Sequence, residues 1–205
     1  MSRQLAVFIS HALHPILMPF YAALLILNLN TYISYSISLQ VQRVIISLVF
    51  ITTAALPVVT AVLLLQKGII KSLQMDSIVE RRIPFLTTAL YYFVCYYLLM
   101  QLPVPRMLSI MVLAAAITIL IAFVVSFRWK ISIHSIGAGG MTGLLFGFSQ
   151  ILNANLLSLI IVSILFSGIL GWSRLELGAH RPNQIYLGFV IGFFTEWIML
   201  IALSA

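Results

Sequence analysis

The chain has 205 residues, of which 62% are hydrophobic and 7% charged, and its mean hydropathy is +1.16. A soluble domain carries roughly 25% charged residues, so this composition excludes a water-soluble fold and makes lipid the solvent. The net charge of +7 rests on few residues set between apolar runs, which excludes a nucleic-acid surface and points to membrane lipids, anionic head groups and phosphate as partners.

The apolar stretches are continuous and do not alternate, which argues against barrel strands. They predict an all-α, polytopic membrane helical bundle of six or seven transmembrane helices, forming a single integral membrane domain over 1–205. A span needs about 20 apolar residues, and seven stretches approach that length. The first, 5–29, follows Arg3 and is interrupted by His11, His14 and Pro15. No small-residue cleavage site follows it, so it reads as a retained helix and not a signal peptide. His11 and His14 lie three apart on one helix face, but a metal site needs three or four ligands. Helix–helix hydrogen bonding or a role lining a site is the reading for this pair.

The second stretch, 43–66, leads into the longest polar connection, 67–83. The third, 84–102, opens on Pro84, which suits the first turn of a helix. It carries Tyr91, Tyr92, Tyr96 and Tyr97 as packing and interface residues. Its Cys95 is the single cysteine, so no intramolecular disulfide can form. Tight turns at Leu102-Pro103-Val104-Pro105 and Asn153-Ala154-Asn155 predict antiparallel neighbours. They join 84–102 to 105–127 and 134–152 to 154–172. In the fifth stretch Gly139, Gly143 and Gly147 recur every fourth residue, a close-packing stripe in lipid. The last, 184–204, holds Glu196 near its middle, and an intramembrane carboxyl is a functional candidate by default. Glu196 is 16 residues from His180, roughly 24 Å along a helix, too far to assist that histidine directly.

If every stretch spans, Arg3, Lys67, Lys71, Arg81, Arg82, Arg128, Lys130, Arg174 and Arg181 share one membrane side. Only Arg43 and Arg106 fall on the other. Asp76, Glu80, Glu176, His134 and His180 join the basic side. The positive-inside rule accounts for the lysines and arginines and would make this side cytoplasmic. It does not account for the two histidines, which favour a polyanion site.

Three polar segments meet there. In Gly171–Gln184, Arg174 offers a planar fork for phosphate, and His180 can attack phosphorus or move a proton near neutral pH. Both lie at the mouth of the last helix, where free N–H groups favour an anion. Gln184, four residues beyond His180, shares its helix face and can fix the imidazole tautomer. In Trp129–Gly140, Lys130, Ser132 and His134 alternate with apolar residues and share one side of an extended stretch. In Asp76–Pro84, Arg81 and Arg82 are candidate phosphate ligands, held by Glu80 or Asp76. Each segment taken alone also fits a cationic interfacial loop with snorkelling side chains. Their convergence at one depth favours a site.

Ser173-Arg174, five residues and then His180 matches the third motif of the type-2 phosphatidic acid phosphatase superfamily, in which three further residues and then an aspartate follow. Ser132-Ile133-His134 resembles its second motif, Pro-Ser-Gly-His. Arg81 or Arg82 with Pro84 resembles the end of its first, a lysine, six residues and then Arg-Pro. The likeness lies within 76–192 and is strongest over 128–192. It implies a lipid phosphate phosphatase, with His180 as the nucleophile that forms a phosphohistidine and His134 as the acid that protonates the leaving alcohol. It further implies Arg174 with Ser173, Lys130, Ser132, Arg81 and Arg82 around the phosphate, with no metal and no cofactor. The substrate would be a phosphomonoester or pyrophosphate of a polyprenyl, glycerolipid or sphingoid lipid, and the setting a bacterial inner membrane. The chain departs from the family at Gln184, which stands where aspartate is usual and brings no negative charge. Ile131 and Ile133 replace the proline and glycine of the second motif, and no lysine precedes Arg81 or Arg82 by seven. The helix pair between the first and second segments is also unexpected for the family. Many of its members act on the outer leaflet, against the orientation that the charge count gives. A transporter or flippase for an anionic lipid or solute, and a catalytically inactive membrane scaffold, are the rival readings.

Overall fold

The computed structural model describes residues 3–75, 77 and 79–204. Its regular elements are helices: α1 (Arg3–Ala12), α2 (Met18–Asn28), α3 (Tyr32–Ser36), α4 (Leu39–Phe50), α5 (Leu56–Gln66), α6 (Arg82–Met100), α7 (Arg106–Val125), α8 (Ile133–Ile151), α9 (Leu157–Glu176) and α10 (Pro182–Ser204). Six helical stretches among the described residues are long and apolar enough to cross a membrane: Arg3–Asn28, Leu39–Gln66, Val79–Met100, Arg106–Val125, Leu157–Glu176 and Pro182–Ser204. The chain is an all-α integral membrane protein.

α8 is not one of those six, and its surroundings explain why. Its residues are mostly buried within the bundle, including His134, Ser135, Gly139, Gly140, Thr142 and Gly143. A helix sheathed by other helices needs small, packable residues more than it needs a lipid-soluble surface. Ser132 lies beside Gly188, Ile136 beside Gly192 and Gly140 beside Glu196. The numbers rise together, so α8 and α10 run parallel at backbone contact, with α9 as the antiparallel return between them. The glycine stripe is what permits this approach. A Cβ at Gly139 or Gly143 would run into the carbonyl oxygen of Phe189 or Phe193, and one at Gly192 into that of Ile136.

Two predicted helices are broken by proline. The stretch 5–29 divides at His14, which takes an extended conformation (φ −66°, ψ 134°) ahead of Pro15, the backbone that proline favours in the residue before it. The Leu39–Gln66 stretch contains a π turn at Ile51–Ala55, just before Pro57. Proline cannot donate to the preceding turn, and the wider π turn absorbs the missing bond. One boundary moves for a different reason. The sixth helix, expected at 154–172, runs over Leu157–Glu176, which puts Ser173 and Arg174 in its last turn instead of in a loop. Gly178, with φ +64°, then reverses the chain, and Ala179 N–H returns to Arg174 O at 3.1 Å, a glycine-dependent helix ending.

The main apolar core lies toward the end opposite the basic cluster. There Ile26, Leu27, Leu99, Leu108, Phe148 and Leu200 pack together. A smaller cluster of Phe85, Ala122, Ile131 and Ile136 lies toward the basic end.

Candidate functional site

Helix α10 begins two residues after His180, and its first turn supplies the geometry around that histidine. Gln184 Oε1 accepts Arg181 N–H at 3.0 Å and lies 3.1 Å from His180 Nδ1. An oxygen has no hydrogen to give, so Nδ1–H is the donor. The imidazole is therefore held with its lone pair on Nε2. His180 is buried, at 9% exposure. Burial, opposed by the Gln184 bond and aided by the charges of Arg174, Arg81 and Lys130, brings its pKa down from 6.5 to about 4. At neutral pH the ring is uncharged.

His134 is delivered by the first turn of α8. Its Nε2 lies 3.2 Å from the Ser10 carbonyl oxygen, which can only accept, so Nε2–H donates. Its Nδ1 is buried with no hydrogen-bond partner. His14 packs edge-on against the same ring, with centroids 5.1 Å apart and planes at 80°. The Nδ1 of His14 accepts Ile16 N–H at 3.4 Å. Arg174 reaches across from α9, where its Nη1 donates to Ser10 Oγ at 3.1 Å. The Ser10 and Ser173 hydroxyls are also 3.1 Å apart. The Arg174 charge is within electrostatic reach of His14, His134 and His180.

His180, Gln184, His134, Arg174 and Ser173 thus belong to one cluster, with Lys130 and Arg81 within electrostatic reach of His180. Other candidates have different placements. Arg81 is buried and ties the first polar segment to the second: Nε donates to Met75 O at 2.8 Å and Nη1 to Ile131 O at 3.3 Å. Arg82 points away, is exposed, and stacks over the Phe127 ring at 4.7 Å. Ser132 is fully buried and caps α8, accepting Ser135 N–H at 3.4 Å and Ser135 Oγ–H at 3.0 Å. The alternating pattern over 130–134 therefore does not present Ser132 to a ligand, because the helix start takes its hydroxyl. Glu80 accepts Lys71 N–H at 3.4 Å, and Asp76 lies outside the described residues. His11 is exposed and its Nδ1 is bonded to Val7 O at 2.8 Å, so the two first-helix histidines do not act as a pair.

Ser10 is the residue that sequence reasoning missed. It joins α1 to both α8 and α9, yet a lone serine in an apolar run carries no motif.

Beside the cluster a cavity of about 200 Å³ opens among α2, α5, α6, α7, α8 and α10. His14, Gln74 and Arg81 line its polar end. Apolar residues including Ile133, Ile136, Met141 and Leu144 line its length, and Tyr92, Thr118 and Glu196 its deeper part. It follows α8 from Ile133 to Leu144, roughly 16 Å at 1.5 Å per residue. His14 links the two regions, since it lines the cavity and touches the His134 ring. No protein-family model matches this chain, and comparisons with curated proteins and with solved structures give no match.

Proposed function

We propose that the chain is a metal-independent lipid phosphate phosphatase that acts through a phosphohistidine on His180. The observation that carries this reading is the bond between His180 Nδ1 and Gln184 Oε1. It leaves a neutral, oriented Nε2 beside the cationic groups Arg174, Arg81 and Lys130. A buried imidazole with a bare lone pair next to fixed positive charge suits attack on a phosphate, whose negative charge those groups would offset.

In the proposed reaction, Nε2 of His180 forms a bond to phosphorus as the bond from phosphorus to the lipid oxygen breaks. His134 Nδ1, whose lone pair has no partner within the protein, takes the proton of the phosphate monoanion and gives it to the leaving oxygen while its Nε2–H stays on the Ser10 carbonyl. Water then attacks the phosphohistidine and passes its proton through His134 Nδ1 to the departing phosphate. The P–N bond breaks, and inorganic phosphate leaves. The hydrocarbon chain would occupy the apolar cavity, whose polar end adjoins the cluster through His14. The substrate would be a phosphomonoester or pyrophosphate of a polyprenyl, glycerolipid or sphingoid lipid, and a helical bundle of this kind suits a bacterial inner membrane. A transporter for an anionic lipid would use the same arginines but has no need of the oriented His180 lone pair.

The test is release of free phosphate from a panel of lipid phosphates by the purified protein. Turnover is expected to be lost in His180→Ala, nearly lost in His134→Ala, and inhibited by vanadate, a mimic of the five-coordinate phosphorus. Full turnover in both variants would end the reading.

A further inference from the structure

The reaction above has no use for Glu196, although its side chain lies within the bundle at 6% exposure and lines the cavity. It sits beside Gly140, where a Cβ would lie 3.3 Å from the Glu196 Cγ, so the absence of a side chain on α8 makes room for the carboxyl. Gly140 is six residues along α8 from His134, which places the carboxyl roughly 9 Å deeper than the proposed acid. Its Oε2 is buried and has no hydrogen-bond partner. Tyr92, from α6, lines the same part of the cavity and is within electrostatic reach of the carboxyl. Thr118, from α7, is close by but its hydroxyl is bonded to Ala114 O at 2.8 Å.

A buried polar atom without a partner costs free energy, and a cavity meant only for hydrocarbon has no reason to carry one. We infer that the deep part of the cavity is a second binding subsite, in which Glu196 with Tyr92 hydrogen-bonds an oxygen function, such as a hydroxyl, on the chain of an amphiphilic phosphate whose head group lies at the His180 cluster. The inference rests on the phosphatase reading for the position of the head group, and it adds the substrate class: a lipid phosphate whose chain carries a hydroxyl roughly 10 to 24 Å from its phosphorus, between the depth of Glu196 below His134 and its helical distance from His180.

Binding separates this inference from the phosphatase reading. Alkyl phosphonates of one chain length, which cannot be hydrolysed at phosphorus, would be prepared plain and with a single hydroxyl at stepped positions. Their affinities for the purified protein in nanodiscs would be measured by native mass spectrometry. One position near the stated depth is expected to bind roughly 3- to 10-fold tighter than the plain chain, the effect of one buried hydrogen bond. Glu196→Gln keeps an acceptor and a donor and should retain part of that preference, whereas Glu196→Leu should abolish or reverse it. A melting curve for each variant checks folding, and the Gln variant supplies the comparison if the Leu variant does not fold. Equal affinity for every position, or a preference unchanged in both variants, would overturn the subsite. Neither outcome bears on phosphate release, which stands or falls on His180.

Discussion

His180 and Arg181 both donate to one atom, the Oε1 of Gln184, at 3.1 and 3.0 Å. The backbone bond fixes the amide, and the fixed amide then fixes the ring. A side chain that opens α10 therefore also sets which nitrogen of His180 carries the lone pair. In the family that the motif resembles, an aspartate holds this position and adds a negative charge. Here the orientation is kept without the charge, and the imidazolium form gains correspondingly less support.

This relationship predicts different outcomes for two substitutions. Gln184→Leu removes the acceptor and should lower kcat/KM roughly 10- to 100-fold, the range known for partners that orient metal-bound imidazoles. Gln184→Asp keeps the acceptor and adds charge. The wild-type acidic limb of the kcat/KM profile should lie near pH 4, where His180 titrates. In the Asp variant the carboxylate favours the protonated ring, so the limb should move upward. An acidic limb that stays in place in Gln184→Asp would remove Gln184 from this role.

The same buried ring makes folding depend on pH. Its folded pKa, about 4, lies below the ordinary 6.5, so the unfolded chain binds this proton first as pH falls. The contribution to stability is complete above pH 6.5 and is lost as pH falls from 6.5 through about 4. Allowing for solvent screening at a site near the interface, the loss is on the order of 2 kcal/mol. Melting of the purified protein between pH 7.5 and 4 should show this slope, and His180→Gln should flatten it. An unchanged slope in the variant would assign the pH dependence to other groups.

The helical bundle was legible because its signal, apolar runs of membrane length, depends on solvent and not on tertiary detail. The convergence of Arg174, His134 and His180 followed from the same runs, since out-and-back helix pairs return the chain to one face. What sequence could not supply was direction. Arg81 and Arg82 are adjacent, yet one is buried against backbone carbonyls and the other lies over Phe127. Ser132 looked like a ligand by alternation, but the local demand for a helix cap outranked it. Ser10 was invisible because its importance comes from two helices distant in sequence.

Ser10 also yields a coupling prediction. Its hydroxyl meets Arg174 Nη1 and the Ser173 hydroxyl, and its carbonyl meets His134. Ser10→Ala removes the hydroxyl contacts and keeps the carbonyl. Arg174→Lys removes the planar fork, which a point-charge ammonium does not replace. Each change should lower phosphate release, and the double variant should lose less than the product of the two. The shared term should be on the order of 1 kcal/mol in a double-mutant cycle. Strict additivity would mean that Ser10 does not position Arg174.

The α8–α10 contact sets the distance between the two halves of the site, because α8 carries His134 and the first turn of α10 carries Gln184. Gly143→Ala would drive a methyl into the Phe193 carbonyl oxygen, and Gly192→Ala one into that of Ile136. Neither obstacle is the flexible end of a side chain, so the helices must separate. Overpacking of this kind costs about 1–3 kcal/mol. Gly168, exposed on α9, supplies the control, since a Cβ there meets nothing within 4 Å. Gly168→Ala should leave stability unchanged or raise it by up to about 1 kcal/mol through helix propensity. Melting temperatures for the three variants, measured with phosphate release, should show both properties falling together in the two contact variants and neither falling in the control. A Gly192→Ala protein as stable and active as wild type would mean that the close approach of these helices does not hold the site.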